Sequence, residues 1–388
     1  MLAQELIDAI IDKVPRNKLT TCSLVAKSFL VPSQQRLFAS LSLFTAPLRI
    51  AGPPKGEQIL AAFENAVELF TMSPHLSKYV RSLALCLTPS LRNFGAVESV
   101  LRTLPKLRSI CFLANAHHGV AFNWQEMPAS VKSLLKDFIV HPTLRHLSFS
   151  YMAGIPSSII IHAASSLHSL SFFGTSAQDH PESTSHISGS YDSLRALSIT
   201  AVADPVHPWV SVFDLDIHQY LRGLRDFSLT ICRNAYSSDW SPLLLESNAP
   251  TTLQYLKLAF QFPLPILDFP SFPALQELEI VFQVGRPTLP LELSDLLVNV
   301  ATAAPLLESL SFKVETTTFL RMTYMWTGDS EPYSPFGSPD FAKQLPHLRR
   351  LHWSRNTGNA FDDGFEDYIG KKFPGPREAK ILTFSSTE

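Results

Sequence analysis

The sequence predicts an α/β chain: a small helical segment first, then a long run of short parallel strands joined by helices. Three observations predict it. After residue 75 an apolar-x-x-apolar-x-apolar triplet recurs ten times. Five of the ten carry Pro two residues ahead of the first apolar position, at Pro105, Pro142, Pro273, Pro305 and Pro346. Amphipathic helical stretches lie between several triplets. Strand and helix in repeated alternation give parallel strands with crossover helices.

The helical segment comes first in the chain. Leu2, Leu6, Ile7, Ile10, Ile11 and Val14 fall at helical spacing until Pro15 breaks the pattern. A second apolar set follows at Leu19, Cys22, Leu24, Val25 and Phe29, and a third at Leu37 and Phe38. Three helices this short cannot bury all of these side chains among themselves, so the surplus must go against something else.

The order of residues in this stretch resembles an F-box, the helical module that docks a Skp-family adaptor. The matching positions are Glu5-Leu6-Ile7, Ile10-Ile11, Pro15, Leu19, Cys22-Ser23-Leu24-Val25, Ser28-Phe29 and Arg36-Leu37-Phe38. The match covers about a tenth of the chain. It departs from the family at Ala3, where Pro usually follows Leu, which implies a slightly different first turn. The resemblance implies a three-helix F-box over residues 1–44. It also implies an adaptor-binding face made of Leu2, Leu6, Ile7, Ile10, Leu19, Leu24, Val25, Phe29, Leu37 and Phe38.

Residues 45–56, with Pro47, Gly52, Pro53, Pro54 and Gly56, read as a linker. Residues 57–73 form an amphipathic helix with Ile59, Leu60, Phe63, Val67 and Phe70 on one face. Linker and helix together fill 45–75, and the helix is expected to cap the first repeat, because terminal repeats need a polar-faced end.

Residues 76–388 hold the triplets: Val80/Leu83/Leu85, Leu107/Ile110/Phe112, Leu144/Leu147/Phe149, Leu167/Leu170/Phe172, Leu194/Leu197/Ile199, Leu224/Phe227/Leu229, Leu253/Leu256/Leu258, Leu275/Leu278/Ile280, Leu307/Leu310/Phe312 and Leu348/Leu351/Trp353. Pro is 29 of 388 residues, so fewer than one of ten triplets should carry it at a given position by chance. Pro stops a preceding helix and forces extended backbone ahead of itself, which starts a strand. Helices are expected at Phe94–Leu104, Ser130–Val140, Leu291–Ala303 and Gly364–Phe373, and a last edge strand at Ala379/Leu382/Phe384.

This pattern resembles a divergent leucine-rich repeat of the kind found in fungal F-box proteins: an irregular solenoid with a curved parallel sheet. The spacing, from 22 to 41 residues between first apolar positions (275 − 253 and 348 − 307), exceeds the regular range, and the Asn that usually follows the triplet is missing. One continuous repeat core from about residue 57 to 388 is expected. Residues 174–192 and 327–340 read as long loops, the first as a mobile insertion.

Composition bounds the function. Net charge is −2 and hydrophobic residues make up 45%, which excludes a nucleic-acid or anionic-membrane footprint and allows a large core. No apolar run reaches the ~18 residues of a membrane span. Glu5, Asp8 and Asp12 interrupt the N-terminal apolar stretch, so it is not a secretory signal. Four scattered cysteines and no glycosylation sequon fit a cytoplasmic or nuclear protein.

No Walker loop, G-x-G-x-x-G, G-x-S-x-G, H-E-x-x-H or C-x-x-C occurs, and no enzyme or cofactor site is expected. His117-His118 reads as a polar loop, Asp362, Asp363, Glu366 and Asp367 as the acidic start of a helix, and Cys22 as part of the helical face. The resemblance implies a substrate receptor that joins a cullin–RING ubiquitin ligase through the adaptor and holds an unknown protein target on its repeats; the alternatives are a leucine-rich-repeat interaction scaffold with a vestigial F-box and, second, an enzyme with its site in the long loops. In the C-terminal repeats the outward strand positions become charged and aromatic, so Tyr255, Lys257, Glu277, Glu279 and Arg350 are the expected target contacts.

Overall fold

The computed structural model describes residues 3–43, 56–87, 94–114, 122–178, 193–201, 217–231, 249–260, 269–284, 289–290, 292–316, 336, 341–356 and 364–387. It is a mixed α/β structure that divides into two compact units, Met1–Gly189 and Ser190–Glu388. The division falls inside the segment 174–192.

The first unit opens with three helices, α1 (Gln4–Lys13), α2 (Leu19–Val25) and α3 (Lys27–Phe38), with a 3₁₀ turn Arg16–Lys18 after Pro15. Five strands in parallel register follow: β1 (Ser40–Leu43), β2 (Ser82–Leu87), β3 (Ser109–Ala114), β4 (His146–Ser150) and β5 (Ser169–Phe173). The second unit carries seven more: β6 (Ala196–Ala201), β7 (Asp226–Ile231), β8 (Tyr255–Phe260), β9 (Glu277–Val284), β10 (Ser309–Thr316), β11 (Arg350–Asn356) and β12 (Leu382–Thr387).

The triplets are the reason for these strands. Every one of their thirty apolar residues is buried. The second and third positions lie inside the strand and pair in register with their counterparts, as in Leu83↔Ile110, Ile110↔Leu147 and Leu278↔Leu310. Alternation places them all on one face. There they form ladders of like side chains: Phe112, Phe149 and Phe172 stack at centroid spacings of 5.6 and 6.1 Å, and Phe312 stacks on Trp353 at 4.5 Å.

Two further triplets complete the set. Ala379/Leu382/Phe384 supplies β12, with Leu382 opposite Leu351 and Phe384 opposite Trp353. Phe38/Leu41/Leu43 supplies β1, with Leu41 opposite Leu83 and Leu43 opposite Leu85. The second lies inside residues 1–44, so the helical module runs directly into the sheet. The helix Gly56–Met72 therefore sits between two paired parallel strands. It is a crossover helix rather than the expected end cap, and it buries Phe63, Ala66 and Phe70.

The expected helices appear as Gly95–Thr103, Ala129–Val140, Glu292–Ala303 and Phe365–Lys372. The helix Ser157–Ser166 was hidden in the sequence because Ile159-Ile160-Ile161 reads as a strand. Burial of Ile159, Ile160, Ala163 and Ala164 on one side overrides that preference.

The two expected long loops lie mostly outside the described residues. The segment 174–192 begins in ordered structure: Ala177–Gln178 pairs with Ile155–Pro156, and buried Thr175 donates its hydroxyl to Phe149 O at 3.1 Å. Residues 179–192 lie outside the described part. Within 327–340 only Phe336 is described, and it is fully buried against Phe373 at 5.3 Å. The linker stretch 45–55 also lies outside.

Candidate functional site

The helical module is held from within by few residues. Ile7, Ile11 and Leu19 form its buried centre, with Val14, Cys22, Phe29 and Leu37 packed partly against it. Two arginines tie its helix ends. Arg36 donates from Nη1 to Val14 O at 2.5 Å and to Ile11 O, which also accepts the Val14 N–H at the end of α1. Arg16 donates from Nη2 to Leu37 O at 3.1 Å and to Ser40 O at 2.7 Å, at the end of α3. Ala26, extended at φ −156° and ψ 155°, separates α2 from α3.

The expected adaptor residues divide into two groups. Ile7 and Leu19 are interior and hold the module together, and Phe29, Leu37 and Phe38 are half-buried. Leu6 is 49% exposed, Ile10 41%, Leu24 83% and Val25 71%. Leu30 and Val31 are also exposed, a pair the sequence reading passed over although both stand beside Phe29. Leu2 lies outside the described residues. Scattered single apolar side chains on a surface are ordinary. Six on one module of about forty residues, four of them (Leu24, Val25, Leu30 and Val31) within six residues of Ala26, leave apolar area in water.

The second surface is the outward face of β8–β11. Register places Tyr255, Glu277, Ser309 and Arg350 in one row across four strands, and Lys257, Glu279, Ser311 and His352 in the next. So all five expected target contacts share one face. Three of them are already engaged with each other. Tyr255 donates its hydroxyl to Glu279 Oε2 at 2.8 Å, and Lys257 Nζ donates to Glu279 Oε1 at 2.7 Å. Lys313, on the same face, pairs with Glu315 at 3.1 Å.

Burial works against ionisation of Glu279, but the Lys257 and Tyr255 hydrogen bonds and the nearby ammoniums outweigh it, so its pKa lies below the usual carboxylate value. Burial, then the Glu279 carboxylate, pushes the Tyr255 hydroxyl well above its ordinary value. Glu277 and Arg350 are exposed, in the same row as Tyr255. His352 bonds through its two ring nitrogens to Thr383 Oγ1 and Ser385 Oγ, each at 2.9 Å. Burial and then the Arg350 charge hold its pKa below normal.

Among the described residues no group of three metal-ligating side chains forms, and no helix is long and apolar enough to cross a membrane. His117-His118, Asp362, Asp363 and Cys232 lie outside the described residues. Glu366 and Asp367 occupy the first turn of the helix Phe365–Lys372, with Asp367 paired to Lys371 at 2.7 Å. Burial raises the Cys86 thiol to about 11, which suits a packing role.

The fold and these two surfaces define an α/β chain with parallel strands and an apolar helical module. No family model and no curated protein matches this chain.

Proposed function

We propose that the chain is a substrate-recognition adaptor of a Skp–cullin–F-box ubiquitin ligase. The helical module is the F-box and binds the Skp-family adaptor. The repeat strands hold a protein target, on the face carrying Tyr255, Lys257, Glu277, Glu279 and Arg350. The chain performs no chemistry itself and needs no cofactor. It works by raising the effective concentration of a target lysine beside the charged conjugating enzyme, in the cytoplasm or nucleus.

The observation that carries this reading is the exposure of Leu24 and Val25 at the junction of α2 and α3, in a module whose residue order matches the family. These side chains do not serve the module's own core, so a partner is the physical use for them. The test is co-purification of the intact chain with a Skp-family adaptor. Leu24→Asp puts an unpaired charge into the expected interface and should abolish capture, because burying it costs several kcal/mol. Capture that survives this change in a folded protein refutes the assignment, as does a wild-type chain that captures no adaptor.

A further inference from the structure

Four successive strands of the first unit, β2 to β5, carry a basic residue just ahead of their start. The position directly after the first apolar residue of each triplet holds Arg81, Arg108, Arg145 and His168. Backbone bonds fix these residues side by side. Arg108 N donates to Arg81 O at 2.7 Å, Arg145 N to Arg108 O at 2.8 Å, and His168 N to Arg145 O at 2.9 Å. Neighbours in the row thus stand about one strand spacing apart, ~4.8 Å. Since those backbone donors are consumed, only side chains of the row are available to a ligand.

No acid compensates the row locally. The stretches 78–82, 104–109, 141–146 and 166–169 contain Lys78, Arg81, Lys106, Arg108 and Arg145 and no Asp or Glu. Arg108 and Arg145 are exposed and Arg81 is half-buried. Arg81 Nη1 donates to Lys106 O at 3.4 Å, and Arg145 Nη1 lies 2.8 Å from His168 Nε2. Cations that do have an acid, such as Arg102 with Glu98, Lys257 with Glu279 and Lys371 with Asp367, lie outside this row. Three guanidiniums at this spacing repel one another, and a bound anion relieves that repulsion while matching the planar donor forks.

We propose that the row Arg81–Arg108–Arg145 on the strand-start edge of the first unit binds an acidic, Asp/Glu-rich peptide segment of a partner protein. Two strand spacings, about 10 Å, accommodate three or four residues of extended chain at ~3.4 Å each. A nucleic acid would call for a broader positive field than a chain of net charge −2 provides. The row shares no residue with the exposed apolar set of the module or with the expected target contacts, and the inference does not rest on the ligase reading.

The test is fluorescence anisotropy of the full chain with labelled octaglutamate, octaglutamine and an eight-nucleotide oligothymidylate at low salt. Octaglutamate should bind, weaken as salt screens the exposed charges, and be preferred over both other probes. Arg108→Gln with Arg145→Gln should lower its affinity at least tenfold, while Lys136→Gln on the helix Ala129–Val140 should not. Arg108→Glu with Arg145→Glu should switch the preference to octalysine, in a variant whose cooperative unfolding matches wild type. Octaglutamate affinity unchanged in the double Gln variant, or no preference for it over octaglutamine, overturns the proposal. Oligothymidylate binding as tight as octaglutamate overturns it in favour of a nucleic-acid surface.

Discussion

The helical module and the repeat strands use apolar residues in opposite ways. Each of the ten triplets between residues 80 and 353 buries all three of its apolar side chains, and register stacks those within the strands on their neighbours' equivalents. The module buries Ile7, Ile11 and Leu19 and leaves Leu6, Ile10, Leu24, Val25, Leu30 and Val31 exposed. A repeat strand always has a neighbour of the same pattern to cover it. A module of three short helices has no such neighbour, and a core of its size covers only part of its apolar residues. An apolar residue is therefore structural in one region and available to a partner in the other.

The largest expected effect breaks the strand side of this contrast. Leu147→Ala or Leu278→Ala removes the central residue of a ladder and should destabilise by roughly 2–5 kcal/mol in chemical denaturation. A loss under about 0.5 kcal/mol at both sites would mean that the triplets are not the core. The matching change in the module, Leu24→Ala, should stay within about 0.5 kcal/mol of wild type, because an exposed side chain leaves no cavity. A cost near that of Leu278→Ala would show that Leu24 packs internally.

Arg36→Ala tests what holds the module itself. It removes the side-chain donor from Val14 O and the second donor from Ile11 O, and should cost about 1–3 kcal/mol of stability, the range for charge-assisted hydrogen bonds. Hydrogen exchange in α1 should rise with it, and exchange in β9 should not.

Two pH effects are smaller and probe the strand face. The Glu279 pKa is depressed, so its contribution to stability is complete above the unfolded carboxylate value of about 4.3 and is lost as pH falls through the lower folded value. Lys257→Ala should raise the Glu279 pKa, read by NMR titration, and flatten that acid limb. A Glu279 titration unmoved by the change would show that the ion pair at 2.7 Å does not govern it. His352 is also depressed. The unfolded state takes up its proton first, so stability falls as pH drops below about 6.5 towards the folded value. His352→Gln should remove that slope. An imidazole titrating at or above the ordinary value in the folded chain would contradict the packing around it.

Much of the fold was legible because its signal is local and repeated. Ten triplets with their prolines announced ten strands, and Ala379/Leu382/Phe384 an eleventh. Phe38/Leu41/Leu43 obeys the same rule but lies where helical spacing had just ended, so the first strand was read as the tail of the module. Ile159-Ile160-Ile161 was opaque for the opposite reason: local preference favours a strand, and only burial against neighbouring elements makes it a helix. For the candidate sites, alternation alone put Tyr255, Lys257, Glu277, Glu279 and Arg350 on one face. The basic row went unnoticed because Arg81, Arg108 and Arg145 are 27 and 37 residues apart in sequence (108 − 81 and 145 − 108).

By itself the sequence determined which residues alternate, where strands begin and which helices are amphipathic, since these depend on side chains a few positions apart. Tertiary structure decided the partners. Helical spacing could not separate Ile7, which is interior, from Leu6 and Ile10, which face water, because that depends on where α2 and α3 lie. Nor could spacing show that Tyr255 and Lys257 converge on Glu279, 24 and 22 residues onward. Parallel register brings such distant residues within hydrogen-bond reach, and register is set by the whole ladder of buried triplets rather than by any one of them.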